Sequence, residues 1–271
     1  MTIAELRGKI SSLGANVTDT SEDLLTSDVF GCFRYIPPEC GLVQFLETAR
    51  TLSRDEFRTP RPIMRAHWSF WPFIRFRGRT PCEPDVLIGL ESQEGIHMVM
   101  IEAKYLSEKS SYEDEGERPN DQLARELDNL EMLEPGDLGW DTTKEVVGRS
   151  LLYLTQDASI PSTALQESLR EYRRKRNRVG TIYWTSWRHL AAILEEQSRG
   201  LDEYQATVLN DIRLLLEKKR LTMFRGMTPL TTSFNKRTYM FYSVSPTRYD
   251  WPDILSALES MPIYSYTGGE R

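Results

Sequence analysis

Two short apolar runs, Val86-Leu87-Ile88-Gly89-Leu90 and Ile96-His97-Met98-Val99-Met100-Ile101, flank the polar stretch Glu91-Ser92-Gln93-Glu94-Gly95. The runs have the length and composition of buried strands, and a polar segment ending in glycine suits a hairpin loop. Pairing Glu91 with Ile96 across a four-residue loop sets Asp85 opposite Glu102 and Glu83 opposite Lys104. Upstream, the aromatic and β-branched stretch from Ile63 to Phe76 predicts a strand bulged near Pro72. Downstream, Leu151–Thr155 and Thr181–Thr185 predict two more strands. Amphipathic spacing predicts helices over about 21–35 and 40–53, broken by Pro37-Pro38, and over 163–178, 188–197 and 202–219. Another spans 121–133, with Leu123, Leu127 and Leu130 on one face and Asn120 or Asp121 as its cap. A turn at 135–139 leads into a helical segment reaching 149, and Ser107–Pro119 reads as a mobile loop beside the hairpin's open end. Residues 1–18 and the last fifty carry no legible pattern. The order is helix, three strands, helix, strand, helix, strand, then helices: an α/β chain.

Side chains two apart on a strand share a face, and directly opposed Cβ atoms lie about 5 Å apart. Asp85, Glu102 and Lys104 therefore converge on one face at the end of the hairpin. Two carboxylates are what Mg²⁺ takes from a protein, with water and substrate phosphate completing its shell. The main-chain carbonyl of Ala103 offers a third oxygen, and Lys104 a cation to orient the attacking water or offset transition-state charge. Metal-assisted hydrolysis of a phosphodiester, with Mn²⁺ able to substitute for Mg²⁺, is the chemistry this arrangement predicts. The plain alternative is an edge hairpin ending in solvated charges, with Glu83 paired to Lys104.

Pro84-Asp85 followed by Glu102-Ala103-Lys104 resembles the PD-(D/E)-x-K nuclease superfamily, whose fold is restriction-endonuclease-like. The resemblance covers about residues 20–190. It implies an αβββαβ core with a central mixed sheet flanked by helices over 1–190, and a C-terminal helical extension of the same domain over 191–271. It also implies an acidic residue on a helix before the first core strand and a polar residue on the helix after the E-x-K strand. Glu22 is the candidate for the first, with Glu47 as its rival, and Gln122 for the second. Arg125, three residues after Gln122, shares its helix face and is placed to meet a phosphate, as are Arg75 and Arg77. Asp85 and Glu102 would bind Mg²⁺ and Lys104 would position water. The implied activity is a DNA nuclease, acting in microbial defence beside a partner protein that supplies targeting. A homodimer is one assembly that would let it cut both strands. An RNA-directed nuclease, or a non-cleaving nucleic-acid-binding or scaffold module of the same fold, stays open, because the catalytic residues meet only the phosphodiester.

Hydrophobic residues at 39% and charged residues at 27% describe an ordinary globular protein. No apolar run reaches the roughly eighteen residues of a membrane span, and the first residues lack a signal-peptide pattern, so the expectation is a cytoplasmic protein. Three cysteines without C-x-x-C spacing and three scattered histidines suggest neither zinc nor an iron–sulfur cluster. A net charge of −6 sits awkwardly with a nucleic-acid enzyme, yet the local field matters more. Basic residues gather in 50–79, 170–178 and 218–225 and acidic ones in 108–145, which predicts a basic groove and an acidic outer side.

Overall fold

The computed structural model describes residues 17–106, 119–196 and 200–223. Five strands form one mixed sheet in chain order: β1 (Arg65–Phe70), β2 (Val86–Glu91), β3 (Ile96–Ala103), β4 (Val146–Thr155) and β5 (Ile182–Ser186). β1–β2 and β2–β3 are antiparallel, while β3–β4 and β4–β5 are parallel. Among the described residues six helices flank the sheet: α1 (Val17–Phe33), α2 (Leu42–Leu46), α3 (Gln122–Leu130), α4 (Ser162–Arg176), α5 (Trp187–Glu196) and α6 (Glu203–Lys218).

The period-2 alternation of the strands builds two cores. Val86, Ile88, Val99, Ile101, Leu152 and Leu154 face α1, α2, α5 and α6. Leu87, Met98, Met100, Leu151 and Tyr153 face α3 and α4. Ala191, Leu194, Leu209, Ile212, Leu216 and Leu221 thus share the sheet's first core, and 224–271 lie outside the described residues. No described helix is long and apolar enough to cross a membrane.

Several predicted elements are trimmed by tertiary contacts. The helix expected over 40–53 is only Leu42–Leu46, because Arg50 exchanges main-chain hydrogen bonds with Trp184 of β5 and bridges to Glu56. The strand expected over 63–76 stops at Phe70; beyond it the chain leaves the ladder and returns through an Ile74–Cys82 bridge. The helix expected to reach 149 is absent. A 3₁₀ turn at Pro135–Leu138 gives way to β4, a strand of ten residues starting at Val146.

Trp140, just past that turn, lies over β2 where Gly89 has no side chain. A Cβ at Gly89 would come within 2.5 Å of the Trp140 ring and 2.7 Å of Ile96 Cδ1. Gly89→Ala should therefore lower stability by about 1–3 kcal/mol through overpacking. Denaturation midpoints measure this, and an unchanged midpoint would mean that the indole simply moves aside.

Candidate active site

β1, β3, β4 and β5 all end at the edge of the sheet where β2 begins, so one edge collects the residues at five strand termini. The hairpin register is the expected one: Glu91 pairs with Ile96, and the ladder closes with Val86 opposite Ile101. One step further, Asp85 and Glu102 stand beside each other on the face covered by α3.

Asp85 is clamped by two donors. Trp71 Nε1 donates to Oδ1 at 3.0 Å and the Ala103 N–H to Oδ2 at 2.8 Å. Burial, then the neighbouring Glu102 carboxylate, push its carboxyl well above the usual range, against the opposing effect of Lys104. Glu102 Oε1 accepts from Gln122 Nε2 at 2.5 Å and pairs with Lys104 Nζ at 2.7 Å. Lys104 Nζ also donates to Glu22 Oε1 at 3.1 Å, and Glu22 Oε2 accepts the Tyr105 N–H at 2.7 Å. Burial opposes the charge on Lys104, but Glu102, Asp85 and Glu22 outweigh it and hold the ammonium above its ordinary range. Trp187 Nε1 fixes the main chain here by donating to Lys104 O. The pairing of Lys104 is therefore with buried Glu22 and Glu102, not the solvated edge pair that the plain alternative foresees.

α3 supplies the roof. Asp121 caps it, its side chain accepting the Ala124 N–H, and the first turn delivers Gln122 to Glu102. One turn on, Glu126 reaches the same carboxylate. It is 1% exposed, and burial followed by the Glu102 charge raises its carboxyl well above the usual range. Glu102 Oε2 and Glu126 Oε2 are both buried without a donor among the described residues. Two carboxyls can bond each other only if one carries a proton, and burial favours the protonated form of Glu126. Glu126 was not among the residues expected at the site. Its signal was the i+4 spacing from Gln122, which puts both on one helix face.

Glu22 and its rival are separated by their partners. Glu47 accepts from Thr59 Oγ1 at 2.6 Å and pairs with Arg61 at 2.6 Å, whereas Glu22 meets Lys104. The first two basic clusters are partly paired. Arg50 and Arg58 pair with Glu56, Arg79 and Arg176 with the buried Asp128, and Arg178 with Glu131. Arg75 and Arg77 stay exposed, Arg75 beside Phe73 and Phe76 in a cleft of about 390 Å³. Arg125 is half-buried, with its Nε lacking a partner among the described residues. In the third cluster Lys219 Nζ lies 5.1 Å from the Tyr105 ring, next to Lys104, and Arg225 falls outside the described residues, as does the loop expected over 107–119 save its last residue.

Does this donor set suit a hard divalent cation? Glu102 Oε2 is an acceptor without a donor among the described residues, and Asp85 contributes a second carboxylate beside it. The Lys104 N–H bonds Leu154 O on β4, so the Ala103 peptide groups face the β2 side, where Asp85 lies. Among the described residues no trio of His, Cys, Asp or Glu side chains is spaced to hold a metal. The set is therefore two carboxylates and a main-chain carbonyl, which fits Mg²⁺ better than it fits zinc or calcium. No protein-family model, curated protein or solved structure matches the chain.

Proposed function

We propose that this protein is a Mg²⁺-dependent nuclease that hydrolyses phosphodiester bonds of DNA on a restriction-endonuclease-like core, with Mn²⁺ as substitute cation. One observation carries the reading. Glu22, Asp85, Glu102, Lys104 and Glu126 are all buried at one end of the sheet, and one Glu102 oxygen has no donor among the described residues. Taking that many ionisable groups out of water costs several kcal/mol each, and apolar residues of similar volume would give a more stable protein. Strongly perturbed carboxyls gathered at strand ends are what a reaction site requires and what stability opposes.

Asp85, Glu102 and the Ala103 carbonyl would hold the cation. Once bound, it would offset charge on the phosphoryl oxygens and make water easier to deprotonate. Gln122 keeps Glu102 in one rotamer, and Trp71 does the same for Asp85. Lys104, anchored by Glu22, is the donor available to orient water or to meet charge developing on the phosphate. Arg125 and the exposed Arg75 and Arg77 would meet flanking phosphates, so binding should weaken as salt rises.

The test is cleavage of linear, circular and single-stranded DNA, and of RNA, with Mg²⁺ or Mn²⁺ and with chelator. Metal-dependent cleavage of DNA is expected, stopping on chelation. Faster cleavage of RNA would move the reading to an RNA-directed nuclease. A second reading, a module that binds nucleic acid without cutting it, is favoured by one observation: both Asp85 oxygens already accept protein donors. Salt-sensitive binding without cleavage under every condition would select it.

A further inference from the structure

A cleft of about 530 Å³ opens directly beside Lys104, between the ends of β3 and β4 and the first turn of α4. Its volume falls in the roughly 300–1,000 Å³ range of small-ligand sites. Leu106, Pro161 and Ala164 give it apolar surface. Leu106 is 59% exposed and held at φ 64, in the left-handed region, so an apolar side chain is presented to solvent at the mouth. Thr155, Asp157 and Glu167 give it hydroxyl and carboxylate groups, and Lys104 is its one cationic lining residue among the described residues. Part of the polar wall is fixed in advance: Thr155 Oγ1 donates to Asp157 Oδ2 at 2.8 Å and accepts from Trp184 Nε1 at 3.0 Å.

This lining discriminates between the parts of a nucleotide. Asp157 disfavours a second phosphate here, and Lys104, the one cation among the described lining residues, is the group that faces the scissile phosphate. A nucleobase is uncharged, offers N–H donors to oxygen acceptors and has a flat face for Leu106 and Pro161. A phosphate held at Asp85, Glu102 and Lys104 leaves the base attached next to it at the mouth of this cleft. A base inside a duplex is stacked and paired, and has to leave the stack before it can enter.

We infer that the cleft beside Lys104 holds the unpaired base of a nucleotide adjoining the scissile phosphate, and hence that the enzyme acts on single strands or frayed ends. This rests on the nuclease reading. The full-length protein is given, with Mg²⁺, a single-stranded DNA oligonucleotide and the same oligonucleotide carrying one abasic nucleotide, and every cut is mapped. One phosphate beside the abasic position should be cut about ten- to a hundredfold more slowly, the worth of one lost base contact. Ala164→Trp, which fills the cleft, should slow cutting of the intact oligonucleotide by a similar factor and abolish the difference at the abasic position. Thr163→Phe, at the neighbouring wall position, serves if the tryptophan variant does not fold. Equal cutting at abasic and normal positions by the wild type would overturn the inference, as would closed duplex being cut as fast as single strand. Cutting at no phosphate with either cation would instead overturn the nuclease reading. Anisotropy of a labelled single strand then decides the cleft alone: binding weakened by Ala164→Trp supports it, and unchanged binding removes it.

Discussion

Asp85→Asn lowers Mg²⁺-dependent DNA cleavage by about 10³-fold or more while the protein stays folded. Asparagine matches aspartate in volume and keeps one acceptor, but carries no charge for a cation. Its amide nitrogen cannot accept, so either Trp71 Nε1–H or the Ala103 N–H loses its partner, at about 1–3 kcal/mol. Against that loss stands relief from burying an ionised carboxylate, since Asp85 is held well above the usual carboxylate range. The net change in stability is therefore modest near neutral pH. Lys104→Ala is a poorer probe, although it too should stop cleavage. Removing the ammonium leaves Glu22 and Glu102 buried without their cation, which destabilises by about 3–5 kcal/mol, so lost activity and lost fold become hard to separate. Single-turnover cleavage and denaturation midpoints should be measured together. Cleavage by a folded Asp85→Asn protein within about tenfold of wild type would take Asp85 out of the site.

The register of the β2–β3 hairpin was legible because strand length, alternation and a loop ending in glycine leave few pairings that keep every apolar residue inside. Once Glu91 meets Ile96, the meeting of Asp85 with Glu102 follows without knowledge of the rest of the fold. Long-range choices were not legible in this way. Glu22 and Glu47 both stand on predicted helices, and only packing shows that Thr59 and Arg61 occupy Glu47 while Lys104 occupies Glu22. Arginine counts along the chain also do not show which charges are paired, because Asp128 and Glu131 lie far in sequence from Arg79, Arg176 and Arg178. Asp128 is fully buried within α3, and it ties together Arg79 of the β1–β2 excursion and Arg176 of α4. α3 is the element whose burial was least evident. Its leucines mark one apolar face, but the sheet, α4 and the 74–82 segment enclose it on several sides, so its polar residues too are buried. Glu126 was missed for that reason.

Glu126→Gln stabilises the metal-free protein, and the gain grows with pH. The Glu126 carboxyl is held above its unfolded value by burial and by Glu102, so between those two values the folded state binds more protons than the unfolded one. Stability from this group is thus complete below the ordinary carboxylate range and falls as pH rises through the folded-state value. Each unit separating the two values removes about 1.4 kcal/mol. Glutamine carries no such liability. Its amide nitrogen supplies at every pH the hydrogen bond to Glu102 that glutamic acid can offer only while protonated. Near pH 4 the two proteins should therefore melt together, and from pH 6 upward the glutamine variant should melt at increasingly higher temperature. Glu126→Ala separates this electrostatic account from simple packing. It removes the ionisation liability too, but leaves a cavity and deprives Glu102 of its donor, so it should lie below the glutamine variant at every pH. Wild-type and Glu126→Gln melting curves that stay parallel from pH 4 to 9 would mean that Glu126 does not share a proton with Glu102. The two oxygens would then need a donor from outside the described residues, and a cation between them is one that would serve.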